Sequence, residues 1–151
     1  MSEHKVSLKW IRDRDDFKYP TYTRDHTWSF TGGAIVDASA APEFLGNAGR
    51  VDPEEAFVAA ISACHMLTFL AVSAKRRFMV ETYSDEAVGL LEENADGRLA
   101  ITRVELRPKI EFSQDLHPTV EQINSMHHIS HEECFIANSV TAKIVVVAPE
   151  G

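Results

Sequence analysis

A chain of 151 residues with 44% hydrophobic content has the length and composition of a single soluble domain, here taken as residues 1–151. Fifteen Lys and Arg against 23 Asp and Glu leave a formal net charge of -8, and the only basic run is Lys75, Arg76 and Arg77, which argues against a phosphate-backbone partner. No nucleic acid is expected. The start, MSEHKVSLKW, lacks the charged head and apolar stretch of a secretory signal, so a reducing cytoplasmic location is expected.

Val6, Leu8 and Trp10 alternate with Lys5, Ser7 and Lys9, the period of two of a half-buried strand. A charged loop, Arg12 to Pro20, follows. The next run alternates again, with Tyr22, Arg24, His26, Trp28 and Phe30 on one side and Thr21, Thr23, Asp25, Thr27 and Ser29 on the other. An arginine on an aromatic face needs a carboxylate, a stacked ring or a bound anion to offset its desolvation. Holding a sheet edge by cation–π stacking is the plain alternative to a role in chemistry. Gly32 and Gly33 turn the chain into a third short strand, Ala34 to Ala38, and SAAPEFLGNAGR is a loop.

The stretch from Asp52 to Ala74 dominates the chain. Between Ala56 and Val72 only Ser62, His65 and Thr68 interrupt an apolar run free of Gly and Pro, so the predicted helix is apolar on every side. Asp52 suits the N-cap, Pro53 the first turn, Glu54 and Glu55 the positive end of the helix dipole, and Lys75 to Arg77 its other end. The run is shorter than the twenty or so apolar residues of a membrane span and is broken by polar groups, so a core helix is expected, with no membrane partner.

Phe78 to Glu93 and Leu99 to Phe112 read as two long strands joined at Asn94, Ala95, Asp96 and Gly97, with Pro108 marking an edge or a bulge. His117 and Pro118 open a second helix running to about Glu133, with Cys134 at its end, and Thr141 to Val147 is a final strand before a frayed PEG tail. The order predicts an α+β domain with antiparallel sheets around a long buried central helix. One sheet covers only one face of such a helix, so a second copy is expected to cover the rest, making a homodimer.

Two cysteines seventy positions apart, Cys64 and Cys134, lack the close spacing of a redox CxxC motif or a zinc knuckle. A cysteine in an apolar helix behaves by default as a small hydrophobe. A reactive one requires a positive neighbour, and Arg24 is the inward cation, with Glu54 the carboxylate able to fix a guanidinium.

At these residues the chain resembles the OsmC/Ohr family, the osmotically induced and organic hydroperoxide resistance proteins, over nearly its whole length. The resemblance is carried by Arg24, by the block Asp52-Pro53-Glu54-Glu55-Ala56-Phe57 through Ser62-Ala63-Cys64, and by His131-Glu132-Glu133-Cys134-Phe135-Ile136-Ala137-Asn138-Ser139. It implies a thiol peroxidase that reduces organic hydroperoxides to alcohols, built as an intertwined OsmC-like homodimer with sites at the subunit interface. Cys64 would become a sulfenic acid and Cys134 would resolve it as a disulfide, while Arg24 holds the thiolate and Glu54 orients Arg24. An external dithiol, in several members a lipoylated protein, would reopen the bridge, with no cofactor and no metal. Two positions depart from the family pattern: Phe135 stands where Pro commonly follows the second cysteine, and His65 where an apolar residue commonly follows the first. Ten residues of straight helix place Glu54 about 15 Å from Cys64, so either the helix starts late or Arg24 and Glu54 come partly from the second chain.

Two other classes fit some of the same residues. His127, His131 and Cys134 share one helix face and with Cys64 could make a four-ligand metal site. Alternatively the aromatic strand could line an apolar pocket for a small molecule, with inert thiols and no turnover.

Overall fold

The computed structural model describes residues 1–147, so the frayed tail expected at Pro149–Gly151 lies outside the described residues. By its contacts the chain divides after Ala56 into two compact units.

In the first unit, β1 (Val6–Lys9), β2 (His26–Phe30) and β3 (Ile35–Ala38) form an antiparallel sheet in that order. Its tight turn uses Gly33 at φ 94°, a conformation that Gly adopts without steric cost. The alternation from Tyr22 predicts a longer β2 than is formed. The last β1 residue, Lys9, pairs with Thr27, so no strand lies opposite residues 22–24. Instead the Trp10 indole N–H donates to the Thr23 carbonyl at 2.7 Å, taking an acceptor that a ladder would have used. Tyr22 and Arg24 therefore belong to a loop.

Helix α1 (Pro53–Lys75) begins where the capping signals put it, with Asp52 Oδ1 accepting from the Glu55 amide at 2.8 Å. Its end is a Schellman turn. The Phe78 amide donates to Ser73 O, the Arg77 amide to Ala74 O, and Arg77 sits at φ 65° without being glycine. At 23 residues α1 is, by length and composition, long enough and apolar enough to cross a membrane, contrary to the shorter run read from sequence. Only one stripe is buried, Ile61, His65, Phe69 and Ser73 at four-residue spacing, while Ala60, Ala63, Leu67 and Ala71 are exposed in the single chain.

In the second unit the long hairpin forms, but both its arms break at one level. The inner halves are β4 (Val80–Asp85) and β7 (Pro108–Phe112), which pair as one two-stranded sheet. The outer halves, β5 (Val88–Glu93) and β6 (Leu99–Leu106), pair through the turn closed by Asn94 Oδ1 and by Gly97 at φ 73°. Pro108 opens β7 at the break, as its missing N–H requires.

Helix α2 (Val120–Glu133) starts at a capping box made by Thr119 and Gln122, two residues later than His117 and Pro118 suggest, and Cys134 is its C-cap. The chain then returns as β8 (Lys143–Val146) parallel to β6, so the antiparallel sheets include one parallel pair. Two apolar clusters result. Phe69 of α1 meets Phe78, Phe112 and Met126, and Ile61 meets Val104 and Leu106.

Candidate active site

Cys64 lies at the border between the buried and the exposed stripes of α1, and its carbonyl accepts from the Thr68 hydroxyl at 2.8 Å. Cys134 is brought beside it by α2, which ends there. Its sulfur accepts from the Ala137 amide at 3.3 Å in the turn that follows. Both thiols are free, Cys64 half-buried and Cys134 buried. Burial, and then the nearby Cys64 thiol, push the Cys134 pKa upward. Two sulfurs seventy positions apart along the chain are thus neighbours.

Cys64 opens onto a groove of about 840 Å³ that runs along the exposed stripe of α1. Its floor is apolar, with Ala63, Leu67 and Ile136 among the residues lining it, and Lys75 and Arg76 stand at its far end. Phe135, which follows Cys134, lines the same groove and is 80% exposed.

Arg24 lies in the first unit. Its Nη1 and Nη2 donate to the Tyr22 and Tyr19 carbonyls, each at 2.6 Å, and its guanidinium sits 3.6 Å above the Tyr22 ring centre. Trp10 and Phe17 complete the aromatic cluster around Tyr22. Glu54, in the first turn of α1, makes no ion pair among the described residues, so the single chain does not join it to Arg24. The helix also does not start late: it is continuous from Pro53.

The sequence reading assigned His65 and His127 no function as a pair. His65, 1% exposed, places Nε2 3.0 Å from Nδ1 of His127, with the ring planes 13° apart and the centroids 5.3 Å apart. That separation fits an in-plane N–H···N bond rather than face-to-face stacking. Phe69 covers the His127 ring at 4.5 Å. Burial holds both imidazoles down to about 4, helped at His65 by His127 and His131 and opposed at His127 by Asp85. The departure at position 65 was visible in the sequence, but its partner 62 residues away was not. The bond to His65 occupies Nδ1 of His127, and among the described residues no three His, Cys, Asp or Glu side chains gather to hold an ion.

The fold is α+β with antiparallel sheets, and it carries one free thiol on a helix and another at a helix end. The chain belongs to the OsmC-like protein family, whose sequence model matches residues 46–148. An OsmC-like protein of unknown function from Vibrio cholerae is 48% identical over 98% of this chain and 99% of its own, with a TM-score of 0.94. An organic hydroperoxide resistance protein from Elizabethkingia anophelis shares the fold at 16% identity, covering 98% of this chain and 97% of that one, with a TM-score of 0.72. OhrB, the organic hydroperoxide resistance protein of Bacillus subtilis, does so at 18% identity, 97% and 96% coverage and a TM-score of 0.67. No curated protein matches the chain.

Proposed function

We propose that the protein is a thiol peroxidase that reduces organic hydroperoxides to alcohols. The observation that carries this reading is a half-buried Cys64 at an apolar groove near a buried Cys134 whose pKa is raised by burial and by Cys64. Cys64, the more accessible sulfur, attacks the distal peroxide oxygen as thiolate. The O–O bond breaks, the alkoxide leaves with a proton as alcohol, and Cys64 becomes a sulfenic acid. Cys134 then attacks the sulfenic sulfur, water leaves, and a Cys64–Cys134 disulfide remains. An external dithiol, such as a lipoylated protein, restores both thiols, and the cycle requires no metal or organic cofactor.

Arg24 stabilises the Cys64 thiolate in this reading and Glu54 orients Arg24, both within an intertwined homodimer of single OsmC-like domains in the cytoplasm. Support for the dimer comes from the small-residue stripe of α1, which a single chain leaves exposed. A continuous α1 favours an Arg24 and Glu54 contributed to each Cys64 partly by the second copy. The size and apolar floor of the groove also favour a second reading, a small-molecule-binding protein with unreactive thiols.

One experiment separates the two. Reduced protein is mixed with one equivalent of cumene or fatty-acid hydroperoxide, alkylated and digested for mass spectrometry. A Cys64–Cys134 bridge with stoichiometric alcohol supports the peroxidase; unmodified thiols and unconsumed hydroperoxide would leave the binding protein.

A further inference from the structure

Among the described residues, one ring-to-ring N–H···N bond links the two helices that carry the thiols. Antiparallel contacts run along them: Arg76 meets the Ser125 hydroxyl at 3.3 Å, the Ser73 hydroxyl meets Met126 Sδ at 3.6 Å, Phe69 covers His127, and His65 bonds His127. The first of these is exposed, and the second and third are soft contacts to a sulfur or a ring face, which tolerate sliding. The His65–His127 bond alone joins two rigid planar groups through one N–H···N axis, in a part-buried setting that strengthens its directional preference.

That tie lies where the chemistry needs it. His65 is the residue after Cys64 on α1, and His127 lies seven residues, about two turns, before Cys134 on α2. From this geometry we infer that His65 and His127 are positioning residues, whose hydrogen bond fixes α2 against α1 so that Cys134 meets Cys64. The pair acts on the resolving step, in which the Cys134 sulfur displaces water from the Cys64 sulfenic acid. Forming the S–S bond depends on how often the sulfurs meet in line. The inference rests on the dithiol reading above and adds to it the element that holds the two sulfurs in register.

The test needs no hydroperoxide. Protein is equilibrated with mixtures of glutathione and glutathione disulfide, where two protein thiols and one glutathione disulfide give the Cys64–Cys134 bridge and two glutathiones. Acid quenching and mass spectrometry then give the effective concentration of one thiol at the other. Two variants are compared with the parent: the double variant His65→Leu with His127→Leu, which removes both polar groups and leaves none unpaired, and His127→Asn, whose amide oxygen can replace Nδ1 as acceptor.

The double variant is expected to keep its far-UV circular dichroism and lose tenfold or more in effective concentration, while His127→Asn stays within threefold of the parent. Parental bridging in the double variant, or an equal loss in His127→Asn, would overturn the positioning role while leaving the dithiol reading intact. Absence of any bridge in the parent would remove both together. If the double variant unfolds, His127→Leu alone is measured in its place, where a tenfold loss supports the pair and near-parental bridging overturns it.

Discussion

Ser62 on α1 donates to Asp85 Oδ2 at 2.5 Å, while the other oxygen of that carboxylate accepts from the Arg107 amide at 2.6 Å. Asp85 ends β4 and Arg107 separates β6 from β7, so one side chain joins the central helix to both arms of the hairpin at the level where they break.

Asp85→Ala should therefore cost more than either partner. It strands a half-buried hydroxyl, worth about 1 to 3 kcal/mol when left unpaired, and releases the exposed Arg107 amide to water, whereas Ser62→Ala removes one donor and should cost about 1 kcal/mol. Urea unfolding of the two variants measures the difference; an Asp85→Ala midpoint equal to that of Ser62→Ala would contradict the three-way joint.

Cys134→Ser should allow one oxidation and then stall. Mass spectrometry after one equivalent of organic hydroperoxide should find a single oxygen on Cys64, and excess hydroperoxide should add a second and a third, while Cys64→Ser consumes none. Normal cycling of Cys134→Ser with a dithiol would refute the two-cysteine scheme.

The histidine pair makes stability depend on mild acid. Both imidazoles are held near 4 in the fold, against an ordinary value of about 6.5, so between those values the unfolded chain binds protons that the folded one refuses. Their contribution is complete above pH 6.5 and is lost as the pH falls from there towards 4, by an amount on the order of 3 kcal/mol for His65 and less for the partly solvated His127. Denaturation at pH 7.5 and 4.5 measures it, and the double leucine variant should show a much smaller fall. A fall of the same size in both would assign the effect to other groups, since Asp85 and His131 also act on the pair.

Arg77 occupies a left-handed position that glycine adopts without cost. Arg77→Gly should stabilise the protein by about 1 kcal/mol, a rise in Tm of roughly 2 to 4 °C at this chain length. An unchanged or lower Tm in calorimetry would show that the arginine makes a compensating contact.

The exposed stripe of α1 gives the test of assembly. Leu67 is 63% exposed in the single chain, and a charge there should be tolerated by a monomer but not by a packed pair of helices. Leu67→Glu should sediment at half the mass of the parent; if both sediment as dimers, that stripe is not the interface.

How much of this was legible beforehand depended on whether the cause was local. Asp52 as cap, the Asn94–Gly97 turn and Cys134 at the end of α2 follow from neighbouring residues, and each forms as read. The break in the hairpin was hidden, because it depends on Asp85 reaching an amide 22 residues away. Arg24 sits in a perfect alternation that never becomes a strand, since period two says nothing about whether a partner strand lies opposite. Likewise the all-round apolarity of α1 was plain, but which four residues would face inward required the positions of the sheets and α2.

The span between the two sulfurs has a last consequence. Joining positions 64 and 134 would close a ring of about seventy residues, a restriction on the denatured chain worth about 4 kcal/mol by loop entropy. The oxidised protein would then outlast the reduced one under heat or protease, and its turnover would follow the supply of reductant.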